Sequence, residues 1–437
     1  MRFYEILDTN NEIRNMHETQ KKERALLVLV VERDERWSRE ALAEEFKSLV
    51  LSTGIEVAEL IPVNLVAPTP AHYIGKGKVS EIALIADEEK ANVVIFNTNL
   101  NFTQQRNLEE TIGVKTLDRT QLILDIFAKH AHTQEGILQV ELAQLQYFLP
   151  RLRGKGIMLS RLGGGIGTRG PGEKKLEVDK RRISDRITRL KKELSIVRQH
   201  RSVMRKKRKK EAIPLCSLVG YTSAGKTTLF NALTKDSQEV SAALFTTLGT
   251  VSRTFEIKAN VNVVLSDTVG FIYKLPHHLI EAFKATLEEL HYADVLLHVI
   301  DASQLDTLKF KNAVDAVLEE LGLEKKPIIT IFNKSDKLAL IEIDQLKKDY
   351  PESIFISAKT KEGLEELNDC IYSELFKDVV EVVVKIPFNR MNIVNYLHKS
   401  AQVLKTAYQE NEAVFWVKIK KNELSYLKKQ GLNISEV

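Results

Sequence analysis

Eight residues constrain the fold of this chain more than any others. Gly220-Tyr221-Thr222-Ser223-Ala224-Gly225-Lys226-Thr227 fits the spacing G-x-x-x-x-G-K-[ST], with an apolar run before it (213–219) and a helical segment after it (228–234, opening on Thr228). A strand that feeds a glycine-containing loop at a helix N-terminus turns backbone N–H groups toward a phosphate, and the helix dipole favours the negative charge. In such a loop Lys226 reaches the β- and γ-phosphates, and the Thr227 hydroxyl is a ligand for Mg²⁺. The arrangement requires strands alternating with helices. Residues 212–376 supply that alternation, with strand-like runs at 213–219, 261–265, 295–300, 328–332 and 354–356.

Three short motifs follow, each at the end of one of these runs. Asp267-Thr268-Val269-Gly270 lies 41 residues after Lys226, where an aspartate joins the Mg²⁺ shell through water and a backbone N–H senses the γ-phosphate. Asn333-Lys334-Ser335-Asp336 comes next. The Asp336 carboxylate can accept hydrogen bonds from the N1–H and exocyclic amine of guanine, whereas adenine presents an acceptor at N1 and would leave it unpaired. Ser357-Ala358-Lys359 would support the base. Each motif alone is weak, but four in order at strand ends indicate a guanine nucleotide, GTP or GDP, bound with Mg²⁺. Between Lys226 and Asp267 a threonine must close over the metal and γ-phosphate, and Thr246, Thr247 and Thr250 are all available. Phe271 stands where many GTPases carry a glutamine that orients the attacking water. Phenylalanine cannot do so, which predicts slow intrinsic hydrolysis and a partner that completes the site.

Charge divides the chain. Residues 151–210 hold 22 Lys/Arg and 5 Asp/Glu, a net of +17, so the remaining 377 residues carry −12 of the overall +5. A concentrated basic block on an acidic body implies a polyanionic partner. The block contains 8 of the 20 glycines, within 154–172, followed by a helical pattern from about Glu173. Leu138, Leu142, Leu145 and Leu149 before it, and Ile183, Ile187, Leu190, Leu194 and Val197 after it, recur at helical spacing. Two such seams joined by a loop predict an antiparallel helical hairpin.

The expected organisation is therefore a multidomain α/β protein. It comprises an acidic flexible tail (1–22), an α/β domain with a parallel sheet (23–118) and a helical arm with a glycine-rich loop (119–210). A P-loop domain (211–376) and a small C-terminal α/β domain (377–437) read as strand 379–386, helix 392–407, strand 412–419 and helix complete it. The longest apolar run, 25–31, is seven residues, against the ~20 of a membrane span. No signal-like apolar segment follows Met1, and two cysteines make no framework, so the chain reads as cytoplasmic. His130, His132, His277 and His278 lack partner spacing for a metal, and Cys216 reads as core.

With these residues in hand, the chain resembles the HflX family of translational GTPases, in the Obg-HflX group. The resemblance rests on the run from Asp267 to Glu289, on Gln105 to Glu110, Asp118-Arg119-Thr120, Leu138 to Leu145, Tyr73 to Lys78, and most specifically on Leu159-Ser160-Arg161 with Gly163 to Glu173. It implies a Ras-like GTPase domain whose catalytic residues are Lys226, Thr247 and Gly270. Alignment on Phe245 and Leu248 selects Thr247 as the Mg²⁺-sensing threonine. It further implies a monomeric factor that binds the large ribosomal subunit and its rRNA, not DNA, and splits stalled or idle ribosomes under stress. Lys155, Arg161, Arg169, Lys174 and Lys175 would contact RNA. The family usually has asparagine at Ser223, where in related GTPases it helps hold an activating K⁺, so the resemblance leaves potassium stimulation open here. Two other functions fit the same motifs: a large-subunit assembly or antiassociation factor using GTP as a timer, and a nucleotide-gated regulator of another protein.

Overall fold

The computed structural model describes residues 23–35, 37–131, 133–161, 171–210, 213–234, 251–258, 261–268, 270–274, 276, 279, 287–304, 306–409 and 411–436. For 153–161, 171–176, 204–210 and scattered others the backbone alone is described. The expected tail at 1–22 lies outside these residues. Its four acidic residues are balanced by four basic ones, so the segment is neutral, contrary to the acidic reading.

The chain separates into two compact units, 1–129 with 153–158, and 130–152 with 159–437. In the first, β1 (Arg24–Glu32), β2 (Glu56–Leu65), β3 (Val93–Phe96) and β4 (Lys115–Leu117) form a sheet in the order β2-β1-β3-β4, parallel throughout. Helices α1 (Arg39–Ser52), α2 (Lys76–Glu88), α3 (Phe102–Ile112) and α4 (Arg119–His130) connect and extend it. The apolar run in β1 is buried from Ala25 to Val30, as a central strand between helical layers must be. Sequence reading did not foresee α3 or β4. Asn101 and Gln104 form a capping box that starts α3, and Gly113, at φ 85°, ends it.

Within this unit Arg119 grips Glu45 of α1 with two hydrogen bonds, 2.6 and 3.1 Å, both residues buried. Removing one member of a buried ion pair strands the other charge. Arg119→Ala should therefore destabilise the unit by about 3–5 kcal/mol. Chemical denaturation monitored on Trp37, 7% exposed near α1, would read this as an earlier transition.

Helix α5 (Gln134–Arg161), which belongs to the second unit except for 153–158, packs on α6 (Pro171–Lys210), and the seam is the expected one. Leu138, Leu142 and Leu145 pack with Ile187, Leu190 and Leu194, flanked by a bidentate Arg186–Glu141 pair at 2.7 Å. Both helices reach further into the glycine-dense stretch than expected. Instead of ending near Leu149, α5 runs through Pro150, Gly154 and Gly156 to Arg161. Pro150 costs one backbone hydrogen bond and each glycine about 1 kcal/mol relative to alanine, penalties that a helix of 28 residues absorbs. Lys155 and Arg161 thus lie on α5, and Lys174 and Lys175 in the first turns of α6, which opens on Pro171 as helices favour. Arg169 lies outside the described residues.

Next come β5 (Leu215–Gly220), α7 (Lys226–Thr234), β6 (Val251–Lys258), β7 (Val261–Asp267), β8 (Val295–Asp301), α8 (Thr307–Glu320), β9 (Ile328–Asn333), α9 (Leu340–Asp349), β10 (Ile354–Phe355) and α10 (Leu364–Phe376). Their sheet has the order β10-β9-β8-β5-β7-β6, parallel except for the antiparallel edge strand β6. The expected strands are all present, and β6 is an addition.

The chain ends with β11 (Val379–Pro387), α11 (Asn392–Ser400), β12 (Ala401–Tyr408), β13 (Glu412–Lys420), α12 (Lys421–Lys429) and β14 (Asn433–Glu436) in an antiparallel sheet. Here the expected helix over 392–407 is half wrong. It stops at Ser400, and 401–408 pairs with β13 because Ala401 and Val403 then join the apolar core under the sheet. Among the described residues, no helix is long and apolar enough to cross a membrane.

Candidate nucleotide site

Strand β5 is buried along its whole length and delivers the chain to the loop 221–225 at Gly220. Two residues of that loop adopt left-handed backbone, Ser223 at φ 62° and Gly225 at φ 91°. At Gly225 the requirement for glycine is double, since a Cβ there would lie 2.2 Å from Asn333 Nδ2. Helix α7 then starts at Lys226, so Lys226, Thr227 and the half-buried Thr228 occupy its first turn.

The four sequence motifs converge on this loop. Lys226 Nζ donates to the carbonyls of Gly220 (3.1 Å) and Tyr221 (2.8 Å). Thr227 Oγ1 donates to Asp267 Oδ2 at 2.9 Å, with Asp267 fully buried. Thr268 anchors the turn by donating from Oγ1 to Leu218 O. Val269 lies outside the described residues. Gly270 sits so close that a Cβ would meet Thr222 Cγ2 at 2.8 Å and Lys226 Nζ at 3.0 Å. Phe271 N donates to Gly220 O while Thr222 N donates to Phe271 O, which fixes the turn; the phenyl ring is buried. Thr247 lies outside the described residues.

The base-side motifs form a second layer. Asn333 donates from Nδ2 to Ala224 O (2.8 Å) and accepts from Ala358 N (3.0 Å), tying three loops together. Ser357 Oγ donates to Asp336 Oδ1 at 2.7 Å, which orients an otherwise exposed carboxylate. Ala358 is buried and Lys359 exposed in the same turn. Sequence reasoning missed Asp301. It ends β8 and accepts from Lys334 Nζ at 2.6 Å, holding that side chain across the site. Burial opposes its charge, but the Lys334 ammonium and the Ser303 hydroxyl and N–H together keep its carboxyl below the ordinary range. An acidic residue closing an apolar strand run was the available signal. Tyr221, whose hydroxyl accepts from Tyr273 N, packs edge-on against Phe310 at 4.7 Å.

Burial pulls the Lys226 ammonium from 10.5 down to about 8, with Asp267 only partly restoring it. A bound polyphosphate favours the protonated form, so binding above pH 8 takes up a proton. GTP affinity should therefore be flat with respect to this group below pH 8. Above it, affinity should fall by up to about tenfold per pH unit until the bound-state pKa is reached. Calorimetric titrations at pH 8.5 in buffers of different ionisation enthalpy would reveal the uptake. Equal apparent enthalpies would contradict it.

Family comparison fits this geometry. Models described as GTP-binding GTPase N-terminal, GTP-binding GTPase Middle Region and 50S ribosome-binding GTPase match residues 40–128, 130–208 and 215–334. The chain is 46% identical over 389 residues to the GTPase HflX of Caldanaerobacter subterraneus, covering 89% of each. It belongs to the HflX GTPase family. The HflX protein of Escherichia coli K12 is 42% identical over 346 residues, 79% of this chain and 81% of that one. The one from Lacrimispora saccharolytica is 44% identical over 393, covering 89% and 92%. As an HflX-family member the chain is a GTP-binding protein and a GTP hydrolase, and its α/β multidomain fold with a P-loop GTPase domain agrees with the sequence expectation.

Proposed function

We propose that this HflX-family GTPase acts in the cytoplasm, binding the large ribosomal subunit through rRNA and splitting stalled or idle ribosomes under stress. The observation that carries this reading is the +17 block at 151–210 on a body of net −12, carried largely by the two helices α5 and α6 that precede the GTPase domain in the chain. Neutralising phosphates releases counterions, so such an arm binds RNA strongly and with steep salt dependence. The family model described as a 50S ribosome-binding GTPase, over 215–334, supports the choice of subunit.

Lys155, Arg161 and Arg169 lie within the glycine-dense stretch 154–172 and Lys174 and Lys175 just after it. Few side chains there obstruct entry into narrow RNA spaces, and these five pair phosphates while the arginines also stack on bases. In the GTPase site Mg²⁺ fits the residues present. The Thr227 hydroxyl and the Asp267 carboxylate are hard oxygen donors, buried and 2.9 Å apart, with Thr247 the third contributor and Asp267 acting through water. The ion supplies charge neutralisation for the phosphates. Lys226 holds the β- and γ-phosphates once they displace the loop carbonyls from its ammonium, and the Gly270 N–H reports the γ-phosphate. Phe271 is buried and apolar and orients no water, so the large subunit completes the site by ordering the switch segments or supplying a charge, a gain of about 10³–10⁵ in such systems. GTP then fixes the switches in the form that binds the subunit and strains intersubunit contacts, and hydrolysis releases them.

The test replaces Lys155, Arg161, Arg169, Lys174 and Lys175 together with alanine. Stimulation of GTP hydrolysis by large subunits should disappear, and the log–log salt slope of subunit binding should drop by about four. GTP affinity should stay within about twofold. Joint loss of nucleotide affinity and stimulation would refute this division of labour.

A further inference from the structure

The segment after the GTPase motifs has no part in the function above, yet its architecture is specific. β11-α11-β12-β13-α12-β14 is a split βαβ unit, and the sheet order β12-β13-β11-β14 puts its first and third strands in the centre. One face lies on the helices: Val382, Val384, Phe415 and Val417 are buried with Leu397 and Leu427. Residues between them project from the opposite face.

The register lines up a row across that face, Ser435 beside Val383, Val383 beside Trp416, and Trp416 beside Lys405. Lys405 Nζ lies over the indole ring, 5.2 Å from its centroid, the position that a stacking base would occupy. Lys385 and Lys418 stand on either side of the row, on the two central strands. Their partners, Glu412 at 3.3 Å and Glu381 at 2.8 Å, are partly exposed, and such pairs yield readily to a competing anion. Residues 377–437 hold ten Lys/Arg against six Asp/Glu. The face offers little to an apolar protein partner, because Val414, between Lys385 and Ala407, is already only 3% exposed.

We propose that this sheet face binds unpaired RNA: one base stacks on Trp416 while Lys385, Lys405 and Lys418 take the adjacent phosphates. A flat aromatic ringed by cations selects single strands, since bases inside a duplex do not present a free face. The surface is distinct from the arm, and the inference does not rest on the ribosome reading.

Tryptophan emission tests it, because Trp37 and Trp416 are the two tryptophans of the chain. In the full-length Trp37→Phe protein, an octamer of single-stranded oligo(U) should quench Trp416 saturably, and a duplex of equal length should not. Lys405→Glu, a change at an exposed side chain, should weaken octamer binding by about tenfold, and Trp416→Leu by a similar factor. The quench should persist when the five arm residues are alanine. Octamer binding by anisotropy without a change in Trp416 emission, an equal response to duplex, no octamer binding at all, or loss of the quench in the arm variant would each overturn the proposal.

Discussion

Asp336→Asn should turn a protein that prefers GTP into one that prefers xanthosine triphosphate. Asp336 follows β9 and its Oδ1 accepts the Ser357 hydroxyl at 2.7 Å, so the carboxylate is presented in one orientation. Guanine offers it two donors, N1–H and the exocyclic amine. The amide of asparagine keeps one acceptor and puts an N–H₂ where the guanine amine sits, so one contact becomes donor against donor. Losing one hydrogen bond to a charged group, worth about 1.5–3 kcal/mol, lowers GTP affinity by about 10–10²-fold, and the bond that remains has a neutral acceptor in place of a charged one. Xanthine carries a carbonyl at that place and accepts from the new amide. Competition binding of the two triphosphates would show the inversion. An unchanged GTP preference would mean that the base is read elsewhere.

Gly225→Ala should abolish tight nucleotide binding by distorting the phosphate loop and displacing Asn333, with Lys226, Thr227 and Asp336 left chemically unchanged. The residue sits at φ 91°, where a side chain costs about 1–2 kcal/mol. Its Cβ would also stand 2.2 Å from Asn333 Nδ2. Asn333 must move, and with it go the bonds to Ala224 O and from Ala358 N that hold the phosphate loop, the base loop and the turn after β10 in register. Each is worth about 1 kcal/mol, so strain and lost bonds together predict a fall of at least about a hundredfold in GTP affinity. Gly77→Ala is the control. Gly77 lies in α2, and a Cβ there meets nothing within 4 Å, so GTP affinity should not change. Equal affinities for the Gly225→Ala and original proteins would show that Asn333 does not organise the site.

Local patterns explain what was legible before the structure. The arm seam was readable because leucines at 3.6-residue spacing, Leu138 to Leu145 and Ile187 to Leu194, have no other economical use. Strands β1, β5 and β8 were readable as continuous apolar runs buried on both faces. The nucleotide site was readable because its residues come in short contiguous motifs, and the fold needed only to bring the strand ends together. The failures share the opposite character. β12 becomes a strand only through pairing with β13, a partner that no local pattern announces. Edge strand β6 is half exposed and alternates weakly. Asp301 acts through Lys334, 33 residues away, and belongs to no motif. The extension of α5 through Pro150, Gly154 and Gly156 runs against residue preference, so glycine density was read as loop where the chain is helical. Tyr73, at φ 68° and donating to Glu32, shows the same limit in the first unit.

The central claim, that GTP binding at this site drives the arm against the large subunit and parts the ribosome, is tested most directly on a sucrose gradient. Whole ribosomes are incubated with the protein and GTP, a non-hydrolysable analogue or GDP. The account predicts free subunits with GTP and with the analogue, the protein migrating with the large subunit, and intact ribosomes with GDP. Intact ribosomes under all three nucleotides, with the protein only on large subunits already free, would contradict it.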